Sequence, residues 1–259
     1  MATNGSVLDR VAAKLAVLAT HLPRGGQRVV KMLRAIRPRL ATYPFPTRYG
    51  TLVCDVGEPV CYSLLKWGEY PHWNADEEGI QRIPLTSASV VLDIGANIGV
   101  LTRQFASRAG QVHAFEPSPR ALRLLRANVQ DLANVTVHPI ALADTTGKAR
   151  FIERENVDMS SLTNDGGIEV SVTTIDALAL APDFIKIDVE GFEEQVLYGA
   201  KETLARSPVV MFEALSNESR ERCERAILSA DPGYSFERLD GGTNFLAWPA
   251  SLVRLSRGP

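Results

Sequence analysis

The sequence predicts an α/β fold built on one doubly wound, mostly parallel β-sheet. Short apolar runs of strand length alternate along the chain with segments in which apolar residues recur at helical spacing. The first such strand, Val90–Ile94, passes into a helix through a turn that contains Gly95 and Gly99. Two strand-like runs near the C-terminus flank residues 240–242, which predicts an antiparallel hairpin at the end of the sheet.

Five strands are expected in the parallel part of the sheet, at residues 90–94, 111–115, 135–140, 184–188 and 209–213. Helices with a one-sided apolar pattern follow four of these strands. Their predicted inner positions are Ile98, Leu101, Phe105 and Ala109, then Leu122, Leu125 and Val129, then Val196, Leu197, Ala200 and Leu204, and last Cys223, Ala226, Ile227 and Ala230.

Further strands are expected outside this parallel core. Residues 149–154 and 169–173 predict an extra β pair, and residues 234–239 and 243–248 predict the final hairpin. The polar loop 155–167 is either a lid over a substrate or a mobile connection. Ser160 and Ser161 in that loop are candidate contacts to an acceptor, although exposed loop serines are usually without such a role.

The turn after the first strand is the candidate cofactor site. Its glycines allow unusual dihedrals and the close approach of a ligand. The G-x-G-x-x-G fingerprint of nicotinamide dinucleotide sites is missing, and the carboxylate of Asp93 would repel a pyrophosphate. Asp93 suits a ligand that brings positive charge, as S-adenosylmethionine does through its ammonium and sulfonium groups.

Glu116 is the candidate ligand for a ribose. It ends the second strand and follows Asp93 by 23 positions, about the interval at which an acidic residue meets ribose hydroxyls in doubly wound nucleotide folds. Ser118 and Pro119 then cap and open the next helix. Taken singly, a glycine turn and a surface glutamate would be ordinary features, but their order and spacing favour a bound nucleoside.

Three carboxylates are candidates for catalysis, because ligands of open α/β sheets bind outside the carboxyl ends of the strands. Asp188 and Glu190 follow the fourth strand, and Glu213 ends the fifth. One of them acts as general base for an acceptor hydroxyl, or the three hold a hard cation such as Mg²⁺. Asp188 is the first candidate and Glu213 the second. Glu190 either points into the site or caps the helix after Gly191.

The chain resembles the FkbM-type methyltransferases that use S-adenosylmethionine. The matching segments are 93–99 (DIGANIG), 114–117 (AFEP), Ala141 and Leu142 followed by Gly147, 174–176 (TID), and 185–191 (IKIDVEG) with Glu193. The resemblance runs from about Pro59 to about Trp248. It implies the Rossmann-like class I methyltransferase fold and, in most members, an oxygen acceptor on a sugar, polyketide or related metabolite.

The resemblance also assigns a set of residues to the methyl donor. These are Asp93, Gly95, Ala96, Asn97, Gly99, Glu116, Pro117, Ala141 and Leu142. Ala141 stands where many class I enzymes carry an adenine-binding Asp, so backbone groups near Ala141 and Leu142 are expected to bind the adenine. The segment 67–73 resembles the family's N-terminal cover over the cofactor. His72 within it is a candidate base, ahead of His113 and His138, which ordinary packing accounts for.

Composition favours one catalytic domain, residues 51–259, behind a basic helical extension, residues 1–50. Residues 1–39 carry eight Lys or Arg against the single Asp9, a charge of +7, so the remainder of the chain sums to −9. Arg24, Arg28, Lys31 and Arg34 recur at helical spacing. They form a solvated face packed on the domain or, less readily, contact an anionic membrane surface or a second subunit as a homodimer.

The predicted activity is therefore O-methylation of a small molecule with S-adenosylmethionine, a saccharide first and a polyketide second. The alternative outside enzymology is a module that binds the donor without catalysis. A nucleic acid is not expected as partner, because the catalytic part is acidic and lacks the Asp-Pro-Pro-aromatic type of segment. The apolar part of residues 11–22 is too short to span a bilayer, so cytoplasm is expected. Three cysteines without paired spacing predict reduced thiols.

Overall fold

The computed structural model describes residues 6–68, 73–153, 161–163, 166–239 and 242–252. The α-helices are α1 (Val7–Thr20), α2 (Gly26–Ile36), α3 (Pro59–Trp67), α4 (Trp73–Arg82), α5 (Val100–Ala106), α6 (Pro119–Val129), α7 (Glu193–Tyr198), α8 (Lys201–Leu204) and α9 (Asn217–Ala230). Short 3₁₀ helices cover Pro38–Thr42 and Asp176–Leu178.

The strands form three sheets. They are β1 (Tyr43–Thr47), β2 (Gly50–Cys54), β3 (Val90–Ile94), β4 (Gln111–Phe115), β5 (Val135–His138), β6 (Ala141–Leu142), β7 (Gly147–Ile152), β8 (Ser161–Thr163), β9 (Ile168–Thr173), β10 (Phe184–Ile187), β11 (Val209–Glu213), β12 (Ser235–Arg238) and β13 (Asn244–Trp248). β1 and β2 form a two-stranded sheet. The other two sheets lie in residues 90–248, within the part that the sequence predicts to be catalytic.

The central sheet has seven strands in the order β12-β13-β11-β10-β3-β4-β5. Strands β11, β10, β3, β4 and β5 are parallel, whereas β13 runs antiparallel to both β11 and β12. The predicted fold class is confirmed, including the antiparallel hairpin at its C-terminal end. Strand order reverses between β3 and β10, and such a reversal opens a crevice at the carboxyl ends of the strands.

Burial on both faces explains why the central strands are apolar throughout. β3 and β11 are almost completely buried, and all four residues of β10 are buried. Strands covered by helices on both faces show continuous apolar runs instead of alternation. Lys186 in the middle of β10 breaks this pattern, since its side chain is a buried cation in an apolar strand.

A four-stranded sheet, in the order β6-β9-β7-β8, lies between the third and fourth strands of the parallel core in sequence. The predicted extra pair is present as β7 and β9, which are antiparallel. The third strand was expected to reach Ile140, but β5 ends at His138 and Ala141–Leu142 pairs with β9 instead. Most of the predicted loop 155–167 lies outside the described residues.

The N-terminal segment packs onto the catalytic part through its own apolar cluster. Alanines of α1 share this cluster with Leu40 and Leu64, and Ile98 and Leu124 join it from the catalytic part. The β1–β2 hairpin spans position 50, where the sequence suggested a boundary, by pairing Thr47 with Gly50. None of the helices in the described ranges combines the length and the apolar character needed to cross a bilayer.

Candidate active site

The turn after β3 is held by backbone contacts to the neighbouring strands. Gly95 (φ 77°), Asn97 (φ 50°) and Gly99 (φ 87°) all adopt positive φ. The backbone N–H groups of Gly95 and Ala96 both donate to the carbonyl of Phe115, at 3.0 Å. The turn is therefore fixed on β4, and three of its five residues have the backbone conformation that L side chains disfavour.

Other segments of the chain pack directly against Gly95 and Gly99, where a side chain would not fit. A Cβ on Gly95 would lie 1.7 Å from the carbonyl oxygen of Asp188, and one on Gly99 would lie 2.6 Å from Leu125 Cδ1. The sequence predicted close approach of a ligand at these positions. In the structure the end of β10 approaches Gly95 and helix α6 approaches Gly99. Gly95 also lines a cavity that a ligand could enter.

Glu116 is a buried carboxylate held by two backbone donors. Its Oε2 accepts from the N–H of Asn97 at 2.9 Å, and its Oε1 accepts from the N–H of Ser118 at 2.8 Å. Burial raises the pKa of Glu116 to about 7 in spite of these hydrogen bonds. The side chain lines the cavity, and a carboxylate can accept more hydrogen bonds than these two.

Asp93 lies behind the wall of the cavity. Its side chain is completely buried, and its Oδ2 accepts from the hydroxyl of Thr102 at 2.6 Å. Its Oδ1 accepts no hydrogen bond from any residue that the structure describes and lies 3.8 Å from Lys186 Nζ. Burial raises the pKa of Asp93, and the ammonium of Lys186 opposes that rise.

Lys186 connects the turn after β3, which we call the donor turn, to the carboxylates at the ends of β10 and β11. It was not among the site residues predicted from the sequence. Its Nζ donates to the carbonyl of Gly95 at 3.2 Å and lies 3.1 Å from Asp188 Oδ2. Burial by itself lowers the pKa of Lys186, but the carboxylates of Asp188 and Asp93 outweigh it and hold the pKa above its usual value. A lysine inside an apolar strand was the signal, because a buried cation requires a partner.

The three candidate catalytic carboxylates converge at the ends of β10 and β11. Asp188, Glu190 and Glu213 each offer an oxygen, and these oxygens all lie within 4.8 Å of one another. Glu213 Oε1 accepts from the hydroxyl of Thr243 at 2.8 Å. Burial, assisted by the charge of Asp188, raises the pKa of Glu213 to about 7. The sequence prediction that these three acids meet is consistent with this geometry.

Glu193 fixes the turn that carries Asp188 and Glu190. Its Oε1 accepts from the N–H groups of Val189 and Gly191, both at 3.1 Å. Glu190 in this turn has φ of 56°. The carboxylate of Glu193 is buried, and burial raises its pKa. Glu193 therefore fixes the backbone of the turn that carries Asp188 and Glu190. It is not among the described residues that line the cavity.

A cavity extends from the turn after β3 to the three carboxylates. The volume that the centre of a water molecule can occupy within it is about 230 Å³. One water needs only about 10–15 Å³ on this measure, so the cavity accommodates a much larger molecule. Its wall includes Gly95, Ala96, Asn97, Glu116, Pro117, Ala141, Leu142, Lys186, Asp188, Glu190 and Glu213. Of the predicted donor residues, Asp93 and Gly99 lie outside this lining.

Residues outside the predicted motifs complete the wall. Val60 of α3 lines one part, Phe151 and Leu162 of the small sheet line another, and Thr243 and Asn244 lie beside Glu213. These five residues were not predicted from the sequence. Only knowledge of which elements pair or pack over long range would have predicted them. Each residue is brought to the cavity by an element that is remote in sequence from the motif residues.

The other candidate bases are placed elsewhere. His113 and His138 occupy neighbouring strands with their ring nitrogens 3.0 Å apart, and the described lining of the cavity does not include them. Burial lowers the pKa of both. His72, Ser160 and most of the segment 67–73 lie outside the described residues, as does the side chain of Ser161. Cys54, Cys61 and Cys223 are buried free thiols.

Comparison with known proteins agrees with this architecture. Residues 93–241 match the family described as the methyltransferase FkbM domain. The "2-O-methyltransferase NoeI" of Sinorhizobium fredii is 29% identical over 174 residues, which cover 56% of this chain and 72% of that protein. A probable ribosomal RNA small subunit methyltransferase A of Thermococcus onnurineus is 44% identical over 50 residues, or 19% of this chain and 18% of that protein.

A solved structure of the same family shares the fold. The crystal structure of the methyltransferase FkbM from Methylobacillus flagellatus aligns with a TM-score of 0.51 and 19% identity, and it covers 86% of this chain and 62% of that chain. This chain thus spans less than two thirds of that solved protein. The family match covers more than half of the present chain and includes the donor turn, Glu116 and all three converging acids. The chain belongs to the FkbM methyltransferase family and is an S-adenosylmethionine-dependent methyltransferase.

Proposed function

We propose that this methyltransferase acts on a hydroxyl oxygen of a small molecule, with a saccharide as the first class of acceptor. The observation that carries the proposal is Glu213, a cavity carboxylate with a pKa of about 7 beside Asp188. A hydroxyl must lose its proton as it is methylated, and a base whose pKa lies near the working pH is best suited to accept it.

The donor side of the cavity fits S-adenosylmethionine. The buried carboxylate of Glu116 retains acceptor capacity toward the hydroxyls of a ribose, and the backbone beside Ala141 and Leu142 borders the same cavity. Glu190 supplies negative charge toward the positive part of the molecule. The bound donor supplies a methyl group activated by positive sulfur.

Asp93 has an indirect role in this proposal. Its carboxylate lies behind the wall, where it faces Lys186 and accepts from Thr102. Lys186 in turn donates to the carbonyl of Gly95. Asp93 therefore fixes the ammonium that connects the donor turn to Asp188, and it contributes to donor binding through this position and through its charge.

Glu213 and Asp188 handle the acceptor hydroxyl in the proposed reaction. The acceptor oxygen forms the new bond to the methyl carbon while the bond from that carbon to sulfur breaks, and the hydroxyl proton passes to Glu213. Asp188, paired with Lys186 at 3.1 Å, orients the hydroxyl. Alignment of the two reactants supplies the larger part of the rate enhancement of such an in-line displacement.

Two observations support oxygen and saccharide as acceptor. The name of the Sinorhizobium fredii relative says 2-O-methyltransferase, which favours an oxygen. The acceptor side of the cavity carries three carboxylates together with Thr243 and Asn244. Such a dense set of hydrogen-bonding groups suits a molecule with several neighbouring hydroxyls, because precisely placed polar groups fix the orientation of a ligand in its pocket.

The acidic cluster also supports a second mechanism in which a divalent cation binds the acceptor. Three carboxylate oxygens within 4.8 Å of one another are the hard ligands that Mg²⁺ prefers. In that case Asp188, Glu190 and Glu213 hold the ion, which would make the hydroxyl more acidic and orient it. Lys186 competes for Asp188 in this arrangement, so we place the metal-free base first.

The first prediction separates the acids from donor binding. Asp188→Asn and Glu213→Gln should each lower turnover at least tenfold, and the loss of a general base is typically worth about 10²- to 10⁴-fold. Donor affinity, measured by calorimetry, should stay nearly unchanged. Turnover is measured by mass spectrometry of the methylated product in a panel of saccharides and polyketide alcohols, with EDTA and with added Mg²⁺.

The matched control is Glu169→Gln, which removes an exposed carboxylate paired with Lys148 on the small sheet. Its turnover should equal that of the unmodified protein. Wild-type turnover in both cavity variants would remove these acids from the mechanism, and loss of activity in EDTA that Mg²⁺ restores would select the metal-assisted route. Donor binding without turnover on any alcohol in the panel would favour a non-catalytic module.

A further inference from the structure

Helix α1 exposes large apolar side chains to solvent and buries small ones. Its inward face consists of Ala12, Ala13, Ala16 and Ala19, which belong to the apolar cluster shared with α2 and α3. Its outward face carries Val7 (65% exposed), Leu8 (57%), Val11 (48%), Leu15 (47%) and Leu18 (66%). A helix that only covers a domain has the opposite arrangement, because burial of leucine is worth more than burial of alanine.

These outward residues form one continuous band, which we call the α1 stripe: Val7, Leu8, Val11, Leu15 and Leu18. Successive residues of an α-helix are about 100° apart, so the five positions fall within a sector of about 100° and extend over roughly 17 Å. Leu22, just beyond the end of α1, is also 45% exposed. A contiguous exposed apolar surface of this kind marks an interaction site.

Positive charge borders the α1 stripe. Arg10 and Lys14 are exposed on the same helix and fall beside one margin of the apolar sector. Exposed cations continue into the segment that follows, at Arg24, Arg28 and Lys31. Residues 1–39 sum to a charge of +7, whereas the other residues sum to −9.

We propose that the α1 stripe and its bordering cations dock the protein onto an anionic lipid bilayer surface. An amphipathic helix lies in the membrane interface with its apolar side chains among the acyl chains and its cations at the headgroups. Binding then combines the apolar area with roughly fivefold per Lys or Arg close to an anionic surface. The α1 stripe supplies the apolar side, and Arg10 and Lys14 supply the charge.

Charge argues against a second copy of the chain as the occupant. Two α1 helices facing each other would bring two positive segments together, whereas anionic headgroups neutralise them. Length argues the same way. The α1 stripe covers about two heptads, and a stable coiled coil requires three to four. A bilayer surface therefore satisfies both the apolar and the electrostatic character of this face.

The test is flotation of the full chain with two kinds of vesicle, phosphatidylcholine alone and phosphatidylcholine mixed with phosphatidylglycerol. We expect binding to the mixed vesicles at about 0.1 M salt, at least tenfold weaker binding to phosphatidylcholine alone, and marked weakening at about 0.5 M salt. The variant Leu15→Ser/Leu18→Ser should bind the mixed vesicles at least tenfold more weakly, and Arg10→Gln/Lys14→Gln at least tenfold more weakly as well.

The control is Leu228→Ser, which changes an exposed leucine on α9 (38% exposed) and should leave vesicle binding unchanged within about twofold. All substituted side chains are exposed, so unfolding temperatures should stay close to that of the unmodified protein. Absence of binding to mixed vesicles, or equal binding by the unmodified protein and Leu15→Ser/Leu18→Ser, overturns the proposal. A dimer in sedimentation equilibrium that the leucine variant abolishes, without vesicle binding, would assign the stripe to a second copy.

Discussion

At the scale of single residues, Lys186 sets the charge balance of the active site. Its ammonium lies 3.1 Å from Asp188 Oδ2 and 3.8 Å from Asp93 Oδ1, and its charge also lowers the pKa of Glu213. Burial raises the pKa of Glu213 to about 7, and the charge of Asp188 adds to that rise. The ammonium of Lys186 opposes the rise and so keeps Glu213 available as a base near neutral pH.

Lys186→Met should therefore shift the pH dependence of catalysis. Glu213 accepts a proton only when it is ionised, so the rate falls as the pH drops below about 7. Removal of the ammonium raises the pKa of Glu213, and the acid limb of kcat/KM should move upward by roughly one pH unit. The measurement is kcat/KM against pH, with Lys148→Met, an exposed lysine of the small sheet, as control.

The control profile should overlay that of the unmodified protein. An acid limb that stays in place in Lys186→Met, in a protein that still folds, would show that Lys186 does not tune the base and acts only in packing. Because the prediction concerns the position of the limb and not its height, a general loss of activity in the variant leaves the test valid.

Residues at strand ends could be predicted from sequence, and the buried ones that connect them could not. Asp188 and Glu213 follow apolar runs, and that position alone brings them to the crevice of an open α/β sheet. Lys186 lies inside such a run, where one lysine does not alter the strand assignment. Its partners became apparent only when the register placed Lys186 opposite Asp93 on the neighbouring strand.

At the scale of elements, the turn between β3 and α5 depends on the close contact of Gly95 with β10. Its φ is +77°, and a Cβ there would lie 1.7 Å from the carbonyl oxygen of Asp188. That carbonyl belongs to the residue that carries a candidate catalytic carboxylate. Displacement of the turn therefore disturbs the donor side and the acceptor side together.

Gly95→Ala is expected to destabilise the protein by about 3 kcal/mol or more, from the cost of positive φ and from overpacking against backbone. Gly25→Ala is the matched control, because Gly25 has the same φ of +77° with nothing within 4 Å of the added Cβ. It should cost only the conformational part, about 1 kcal/mol. Urea unfolding measures both, and equal costs would contradict the predicted clash at Gly95.

Some strands of the structure were not predicted from the sequence, and each omission has a physical cause. The β1–β2 hairpin contains Pro44 and Pro46, which argue against a strand, yet a two-stranded hairpin has an outer edge that requires no N–H donors. Strand β6 has two residues and is too short to show the alternation of apolar and polar residues by which a strand is predicted. It forms because β9 offers it an edge, and this long-range pairing directs Ala141 and Leu142 toward the cavity.

At the scale of the whole molecule, alternation of strand and helix was sufficient to predict the central sheet, because each parallel strand requires a crossover to the next. The attachment of the N-terminal segment was harder to predict. Charge separated residues 1–39 from the rest, but the alanine face of α1 is inconspicuous in sequence and still packs against α2 and α3. Charge therefore indicated an extension, and packing joins it to the catalytic part.

The pH dependence of folding follows from the buried acids of the active site. The pKa of Glu116 is raised from 4.5 to about 7 by burial, so the folded protein retains a proton that the unfolded chain has already released. The stabilising contribution of this proton is complete below about pH 4.5 and is lost as the pH rises through about 7. A shift of this size corresponds to roughly 3 kcal/mol.

Glu116→Gln has no charge to titrate at this position, and this makes the contribution measurable. The stability of the unmodified protein minus that of the variant should decrease by roughly 3 kcal/mol between about pH 4.5 and about pH 8, in urea unfolding at both values. The amide replaces one acceptor oxygen toward Asn97 or Ser118, a cost that is independent of pH and cancels in the comparison. Parallel stability curves would show that Glu116 is already ionised in the folded protein at low pH, held by its two backbone donors.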